Sequence, residues 1–564
     1  MDSIQREEME VDVVIVGGGS AGLSAAIRLQ QLVNEHNEKN PDSAMEPMIV
    51  VLEKASEVGA HSLSGAVMNP CALKELIPDY EEQGCPILSD VKKEAVYYLG
   101  EDFKVKSPIV PPPFKNHGNK IVSLSQMTRW LGSKAEEMGI HVFAGFSAVE
   151  TLFDGDKVVG VRTGDRGLDK DGNPKENFEA GMIIKAGVTI FADGTRSPLF
   201  KRVSEKLNLR EGKNPEVFEL GVKEVIQLPK GGIEAGTVIH TMGFPLNKGV
   251  GGTFIYGLPD DQVVVGLCVY LDTSDPLLDV HRELQKLKTH PFMRDLLKDG
   301  QVIGYGGKTL PAGGWYSMPK LYSAGMLVSG DAASMVDVKK LKGIHLAMKS
   351  GMLAAETSFE AMKKGDFSEE SLSSYAEKIE QSVVKDDLWA TRNFHQTISK
   401  GIFLAAPEMM IQEVTGGRGL WDKMPILHKD SETTKSVLDI WGAEGVDHKD
   451  NQLPEPDNKL FYDKLSSVYM TGTMHDEDSP NHLKLQDGNV CQDVCYPKYK
   501  SPCNHFCPAS VYEMIEDENK EGSKKLQINY TNCIHCQTCD IKCPFNNIDW
   551  TLPEAGGGPN YQQM

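Results

Sequence analysis

The run VDVVIV, residues 11–16, has the length and β-branched content of a buried parallel strand, and it stops at Gly17. Gly17-x-Gly19-x-x-Gly22 then opens Ser20–Gln31, which reads as a helix. Glycines here permit a tight turn and let the main chain approach a pyrophosphate at the helix N-terminus, where free N–H groups and the helix dipole favour an anion. A second apolar run, Met48–Leu52, precedes Glu53, a carboxylate placed to accept hydrogen bonds from both hydroxyls of an adenosine ribose. Alone, the glycines could form a structural turn and Glu53 could be a solvated acid ending a strand. Strand, helix and acid together predict a dinucleotide-binding β-α-β unit, with its long crossover, Asn34–Pro47, as a polar surface loop.

Two later segments narrow the dinucleotide. Ile190-Phe191-Ala192-Asp193-Gly194 is a strand ending in an acid and a glycine, and Leu327-Val328-Ser329-Gly330-Asp331-Ala332-Ala333 precedes Gly343 and a helix to about Phe359. They resemble the second and third flavin-binding segments of the flavoprotein family that includes p-hydroxybenzoate hydroxylase. That resemblance implies FAD, held by Gly17, Gly19, Gly22, Glu53, Asp193, Gly194, Gly330 and Asp331. It gives Asp331 the ribityl chain and aims the following helix at the flavin N1 and O2 region, where a helix N-terminus stabilises a reduced flavin. Taken singly, Asp193-Gly194 is a common turn dipeptide.

Of 11 cysteines, eight fall between Cys491 and Cys543. The acidic N-terminal stretch has no apolar signal region, so thiols at tight spacing point to metal before disulfides. Cys533-x2-Cys536-x2-Cys539-x3-Cys543-Pro544 matches the bacterial ferredoxin run, in which three close thiolates bind one cubane and the cysteine before proline serves another. Cys507-Pro508 supplies such a remote ligand, so Cys507, Cys533, Cys536 and Cys539 make one [4Fe-4S] site, with structural zinc as the alternative. Cys491, Cys495, Cys503 and Cys543 remain. Their x3 and x7 spacings fit the two-cluster pattern poorly, so free thiols or an accessory metal are the default and a second cluster the other reading. Thr538 and Tyr512 are candidate hydroxyl donors to cluster sulfur or, equally, ordinary packing residues.

At 564 residues the chain is too long for a lone binding module, and a net charge of -21 argues against nucleic acid as a partner. No apolar stretch is long enough to span a membrane. Alternating strands and helices predict an α/β (α+β) chain. Its expected parts are a Rossmann-like FAD-binding domain in two stretches, 1–110 and 111–210; a mixed-sheet quinone or substrate domain, 211–325; an FAD-domain return with a helical membrane-associated part, 326–458; and a ferredoxin-like iron–sulfur domain, 459–564. The polar stretch Lys429–Pro456 is the candidate boundary, and the tail after Gly556-Gly557-Gly558-Pro559 is expected as surface coil.

Together, VVIVGGGSAGLSAAIRL (13–29), LEKASEVGAHSLSGAVMNP (52–70), GGTFIYGL (251–258), LKGIHLAMKSGMLAAE (341–356), CPASVYE (507–513) and CIHCQTCDIKCP (533–544) resemble the electron-transfer flavoprotein:ubiquinone oxidoreductase family over nearly the whole chain. The resemblance implies FAD, one [4Fe-4S] cluster and a monotopic membrane protein. Its expected partners are electron-transfer flavoprotein, ubiquinone and the membrane surface, either the cytoplasmic face of a bacterial inner membrane or the matrix side of the mitochondrial one. It places the cluster on Cys507, Cys533, Cys536 and Cys539 and the quinone contacts on Gly251 and Gly252, which alone would read as a turn. Mitochondrial members lack cysteines at the positions of Cys491, Cys495, Cys503 and Cys543. Val58–Pro78 and Ile398–Val414 are the two stretches that would suit an interfacial segment or, equally, core helices. His61 is a candidate proton source for the quinol, or structural. The competing readings are an FAD-dependent monooxygenase or prenyl reductase with an iron–sulfur inlet, and a non-enzymatic iron–sulfur scaffold.

Overall fold

The computed structural model describes residues 4–246, 250–442, 453–517 and 522–564, so the candidate boundary at 429–456 lies partly outside the described residues. Strand β1 (Glu8–Val16), helix α1 (Ser20–Lys39) and strand β2 (Ile49–Glu53) form the expected unit, with β1 and β2 parallel and Val13 opposite Ile49. Helix α1 runs past Gln31 to Lys39, so much of the expected loop is helical. Buried Val33 continues its apolar stripe, and the polar residues after it suit an exposed helix end as well as a loop.

Six strands order the first sheet as Tyr322–Ser323, Met326–Val328, Ile183–Phe191, β1, β2 and His141–Ala144, and the hairpin Ala148–Asp154 with Lys157–Thr163 joins the early part of Ile183–Phe191. β1 pairs in parallel on both sides, which is why Val13, Val14 and Ile15 are fully buried. Each such aliphatic side chain contributes about 1.5–3 kcal/mol by leaving water. Over the sheet, α1 packs along α2 (Ile344–Lys364) so closely that a Cβ on Gly351 would lie 2.1 Å from Ala21 O.

The second sheet orders Gln301–Pro311, Phe218–Gln227, Gln262–Tyr270, Gly251–Gly257, Thr237–Gly243, Lys93–Leu99 and Lys104–Lys106. Its pairs are antiparallel except Thr237–Gly243 with Lys93–Leu99, so the sheet is mixed, as expected. Its second strand, Phe218–Gln227, paired on both sides, buries three charged residues, Glu219, Lys223 and Glu224. Glu224 is matched by Lys288 at 2.7 Å, both side chains without exposure, and by Gln285 at 2.9 Å. Lys288 also donates to the carbonyl of Leu460, which ties the start of the cysteine-rich region to this sheet.

That region is built of short helices and two small antiparallel pairs, Leu483–Leu485 with Ile548–Trp550 and Tyr512–Glu516 with Lys524–Ile528. The tail departs from expectation. It is coil but not surface coil: Gly556 N donates to Lys54 O (2.8 Å), Tyr561 N to Ala60 O (2.8 Å) and Ser125 N to Met564 O (2.9 Å), and Tyr561 and Met564 are buried. Gly558 makes the passage possible, since a Cβ there would meet His535 at 2.5 Å and His61 at 2.7 Å.

Among the described residues no helix is long and apolar enough to cross a membrane. The two candidate interfacial stretches separate. Ala66, Val67, Met68, Ala72, Leu73, Leu76 and Ile77 are core residues, whereas on the helix Ile402–Val414 Leu404, Met410 and Val414 are exposed by 78%, 72% and 88%.

Candidate functional site: a flavin cleft against a cysteine cage

At the end of β1, Gly17 has φ +110°, and a Cβ on it would lie 2.3 Å from Ala192 O. A Cβ on Gly22 would lie 2.0 Å from Gly17 O, so both positions require glycine for close main-chain approach. Gly19 differs: a Cβ there meets nothing within 4 Å, which leaves open space before α1. Neither α1 nor α2 carries a side-chain cap, and both begin at one place, where Gly330 (φ +65°) sits with its built Cβ 3.0 Å from Ala21 and 3.5 Å from Ala347. Two uncapped helix N-termini thus converge on an open cradle.

The acids surround it. Glu53 is oriented by Gly18 N (3.0 Å) and Ala55 N (2.8 Å). Asp193, followed by Gly194 at φ +83°, has both carboxylate oxygens buried without a hydrogen-bond partner, and burial pushes its pKa up to about 6 against the opposing pull of Ser197 and Lys54. Asp331 accepts a hydrogen bond from Thr195 Oγ1 (3.3 Å), and burial raises its pKa against Thr195 and Lys308. An open glycine turn, uncapped helices and an orphaned buried carboxylate are what a bound dinucleotide completes, so the residues present fit FAD.

Cys507, Cys533, Cys536 and Cys539 line one pocket with Tyr512, Gln537, Thr538 and Trp550. Left-handed His535 (φ +56°) and Gln537 (φ +65°) turn the chain so that three thiols converge, while Cys507 ends the helix Pro502–Phe506. All four are buried. Burial and neighbouring thiols push Cys533 up to about 12 and Cys507 up to about 11, so the four share this cavity as thiolates only around a metal centre. Thr538 Oγ1 is 3.3 Å from Cys536 Sγ, and the Tyr512 hydroxyl faces Cys539 and opposes the effect of its burial. The cage fits the expected cubane.

Cage and cleft share a wall. With its NH2 assigned toward them, the Gln537 amide donates to Arg196 O (2.6 Å) and Thr195 O (2.8 Å), one residue from the Cys536 ligand. Asp540, beside Cys539, accepts from Arg196 Nε (2.7 Å) and Lys201 Nζ (3.0 Å). Thr309 Oγ1 donates to Cys536 O (2.6 Å) and Lys308 Nζ to His535 O (3.1 Å), which seats the loop on the second sheet. Sequence reasoning gave no role to Lys54, Lys308, Gln537 and Asp540, although three of them lie within the motif stretches; their partners come from distant segments. His61 belongs to this wall, edge-on to His535 at 5.0 Å, and burial beside Lys54 and Lys308 holds it neutral.

Gly251 and Gly252 begin the strand Gly251–Gly257 opposite Val269 and Cys268. A Cβ on Gly251 would lie 2.1 Å from Cys268 O, so close packing alone requires glycine there, whereas Gly252 has only Thr241 O, at 3.3 Å. Val250, just before them, packs on a cluster of Tyr270, Val336, Phe394, Ile398 and Ala405 that leads to the exposed helix Ile402–Val414.

Comparison with known proteins gives the family. Residues 458–562 match the family model described as electron transfer flavoprotein-ubiquinone oxidoreductase, 4Fe-4S, and residues 218–310 the one described as ETF-QO, ubiquinone-binding. The chain is 43% identical to the mitochondrial electron transfer flavoprotein-ubiquinone oxidoreductase of Arabidopsis thaliana over 99% of this chain and 85% of that one. It is 41% identical to the Pseudomonas aeruginosa protein of that name over 100% of both, and 39% identical to the human mitochondrial one over 100% of this chain and 90% of that one. Among solved structures, a geranylgeranyl bacteriochlorophyll reductase-like protein of Thermoplasma acidophilum aligns with TM-score 0.54 at 17% identity, over 74% of this chain and 94% of that one, a likeness of fold alone.

Proposed function

Because the chain belongs to the electron transfer flavoprotein-ubiquinone oxidoreductase family, we propose that it takes single electrons from reduced electron-transfer flavoprotein and delivers them in pairs to ubiquinone. The observation that carries this reading is the shared wall, in which Gln537 of the cluster loop bonds the Thr195 and Arg196 carbonyls and Thr195 in turn bonds Asp331 of the flavin cleft. When bound, the cluster supplies one-electron and FAD one- or two-electron chemistry, the combination needed to join single-electron donors to a two-electron, two-proton quinone reduction.

The chain's own residues position and insulate. Glu53, Asp193 and Asp331 orient the dinucleotide, the helix N-termini of α1 and α2 favour its anionic parts, and Cys507, Cys533, Cys536 and Cys539 hold the cluster. Gly251 and Gly252 offer the quinone a main-chain edge without side chains in the way. The exposed apolar side of Ile402–Val414 lies on the membrane surface beside them, as a monotopic attachment. We place that surface on the matrix side of a mitochondrial inner membrane or the cytoplasmic face of a bacterial one.

Anaerobic titration of the FAD- and iron-loaded protein with reduced electron-transfer flavoprotein and a short-chain ubiquinone tests the proposal. Quinol forming at one equivalent per two donor electrons is the expected result. No quinol, or steady NAD(P)H oxidation with an organic substrate instead, overturns it.

A further inference from the structure

We propose that the chain holds a second [4Fe-4S] cluster, bound by Cys491, Cys495, Cys503 and Cys543, on the outer side of the first. Cys491, Cys495 and Cys503, close in sequence, and Cys543, forty residues on, line one pocket, as the four cysteines of the first cage do. The rest of its lining is mostly apolar, including Pro502, Phe506, Phe545 and Ile548, as in a site closed to water.

Size decides between metals. A mononuclear zinc holds four sulfurs about 2.3 Å from the ion and therefore about 3.8 Å from one another. Among the described residues, no three cysteine sulfurs in either cage lie within 4.8 Å of one another. Neither cage is thus drawn in to the spacing of a single zinc ion. The donors are in place as well: Asn547 directs its main-chain N–H at Cys543 Sγ and its side-chain amide at Cys491 Sγ, each at 3.3 Å, the bonds that metal-bound thiolates accept.

The chain pattern agrees once the two cages are compared. Cys503-x3-Cys507-Pro508 repeats Cys539-x3-Cys543-Pro544. In two-cluster ferredoxins the cysteine before proline in each run ligates the other cluster. Here Cys507 joins Cys533, Cys536 and Cys539, and Cys543 joins Cys491, Cys495 and Cys503. Each pair spans one short helix, Pro502–Phe506 or Thr538–Lys542, so the cages stand at opposite ends of the same two helices, with about 6 Å of rise between paired cysteines. The irregular spacing has a local cause. Cys491 and Cys495 lie on a π-helical turn, Val490–Cys495, and left-handed Lys500 and Ser501 (φ +57° and +53°) redirect the chain before Cys503. This geometry brings three thiols to one cavity without a C-x2-C turn.

The second cage is also the outer one. Cys491 is half-buried and Val494 is 37% exposed, whereas all four cysteines of the first cage are buried. One of its ligands thus reaches nearer the surface than any in the first cage, whose loop bonds the wall of the flavin cleft through Gln537.

The test counts atoms and needs neither donor nor quinone, so it stands apart from the proposed reaction. The full chain is purified anaerobically and iron, acid-labile sulfide, zinc and FAD are measured on one sample. We expect about eight irons and eight sulfides per FAD, and an EPR spectrum of the reduced protein broadened by coupling between two paramagnets. The double variant Cys491→Ala/Cys495→Ala should lose half its iron, keep its FAD and show one narrow, uncoupled cluster signal; Cys71→Ala, outside both cages, should change nothing. About four irons per FAD in the wild-type protein after anaerobic reconstitution with iron and sulfide, with zinc in the other cage or without it, overturns the proposal. Undiminished iron in the double variant overturns it too.

Discussion

Gly17 and Asp193 face each other across the end of β1, and each is a place where one atom decides the outcome. Gly17→Ala sets a methyl 2.3 Å from Ala192 O at a φ of +110°, so the turn must open. A loss of about 2–4 kcal/mol in stability and failure to retain FAD are expected, read by melting temperature and by flavin absorbance after gel filtration. Asp193 acts through pH. Its folded pKa, about 6, lies above the ordinary value of 3.8, so the folded FAD-free protein holds this proton more tightly than the unfolded chain. Stability therefore falls as pH rises through this window, and the full penalty, up to about 3 kcal/mol, is present above pH 6. Asp193→Asn should stabilise FAD-free protein at pH 7.5 and lose that advantage below pH 4, measured by urea unfolding at both values. At the cluster, Thr538→Val removes the hydroxyl 3.3 Å from Cys536 Sγ. A hydrogen bond of about 1 kcal/mol corresponds to tens of millivolts for a one-electron couple, so an EPR-monitored redox titration should show the potential falling by that order.

Among elements, the helix Ile402–Val414 carries Leu404, Met410 and Val414 largely exposed. Burial of such side chains in an interface contributes about 1.5–3 kcal/mol each. Leu404→Glu/Met410→Glu should weaken vesicle binding in flotation assays more than 100-fold and leave the melting temperature within a degree or two of wild type. Elements also show what sequence reveals and hides. β1, the glycine turn and β2 were legible because a parallel strand buried on both faces is a continuous apolar run and because glycine is forced where main chains nearly touch. The strand Phe218–Gln227 was not legible. It buries Glu219, Lys223 and Glu224, and what makes Glu224 tolerable, Lys288 and Gln285, lies some sixty residues on and leaves no local mark. The same holds for the site. Cysteine spacing revealed the first cage, whereas the second depends on a π-helical turn and two left-handed residues that no spacing rule encodes. The tail misled in the opposite direction, since glycine-rich coil reads as surface when its glycines serve to thread it between rings.

At the scale of the molecule, the Lys288–Glu224 pair joins the second sheet, the helix Val280–Thr289 and, through Leu460 O, the cysteine-rich region. With both side chains fully buried, Lys288→Met leaves an uncompensated carboxylate, and a loss of about 3–5 kcal/mol is expected by chemical denaturation. Adding Glu224→Leu should recover most of it, because the cost lies in the unpaired charge. The passage of residues 556–564 has a consequence for how the molecule is made. Gly556 meets Lys54, Tyr561 meets Ala60 and Met564 meets Ser125, so these surfaces are closed by residues that leave the ribosome long after them. Until those arrive, the side of the wall near His61 and His535 is uncovered, so closing it joins parts of the chain made at widely separate times.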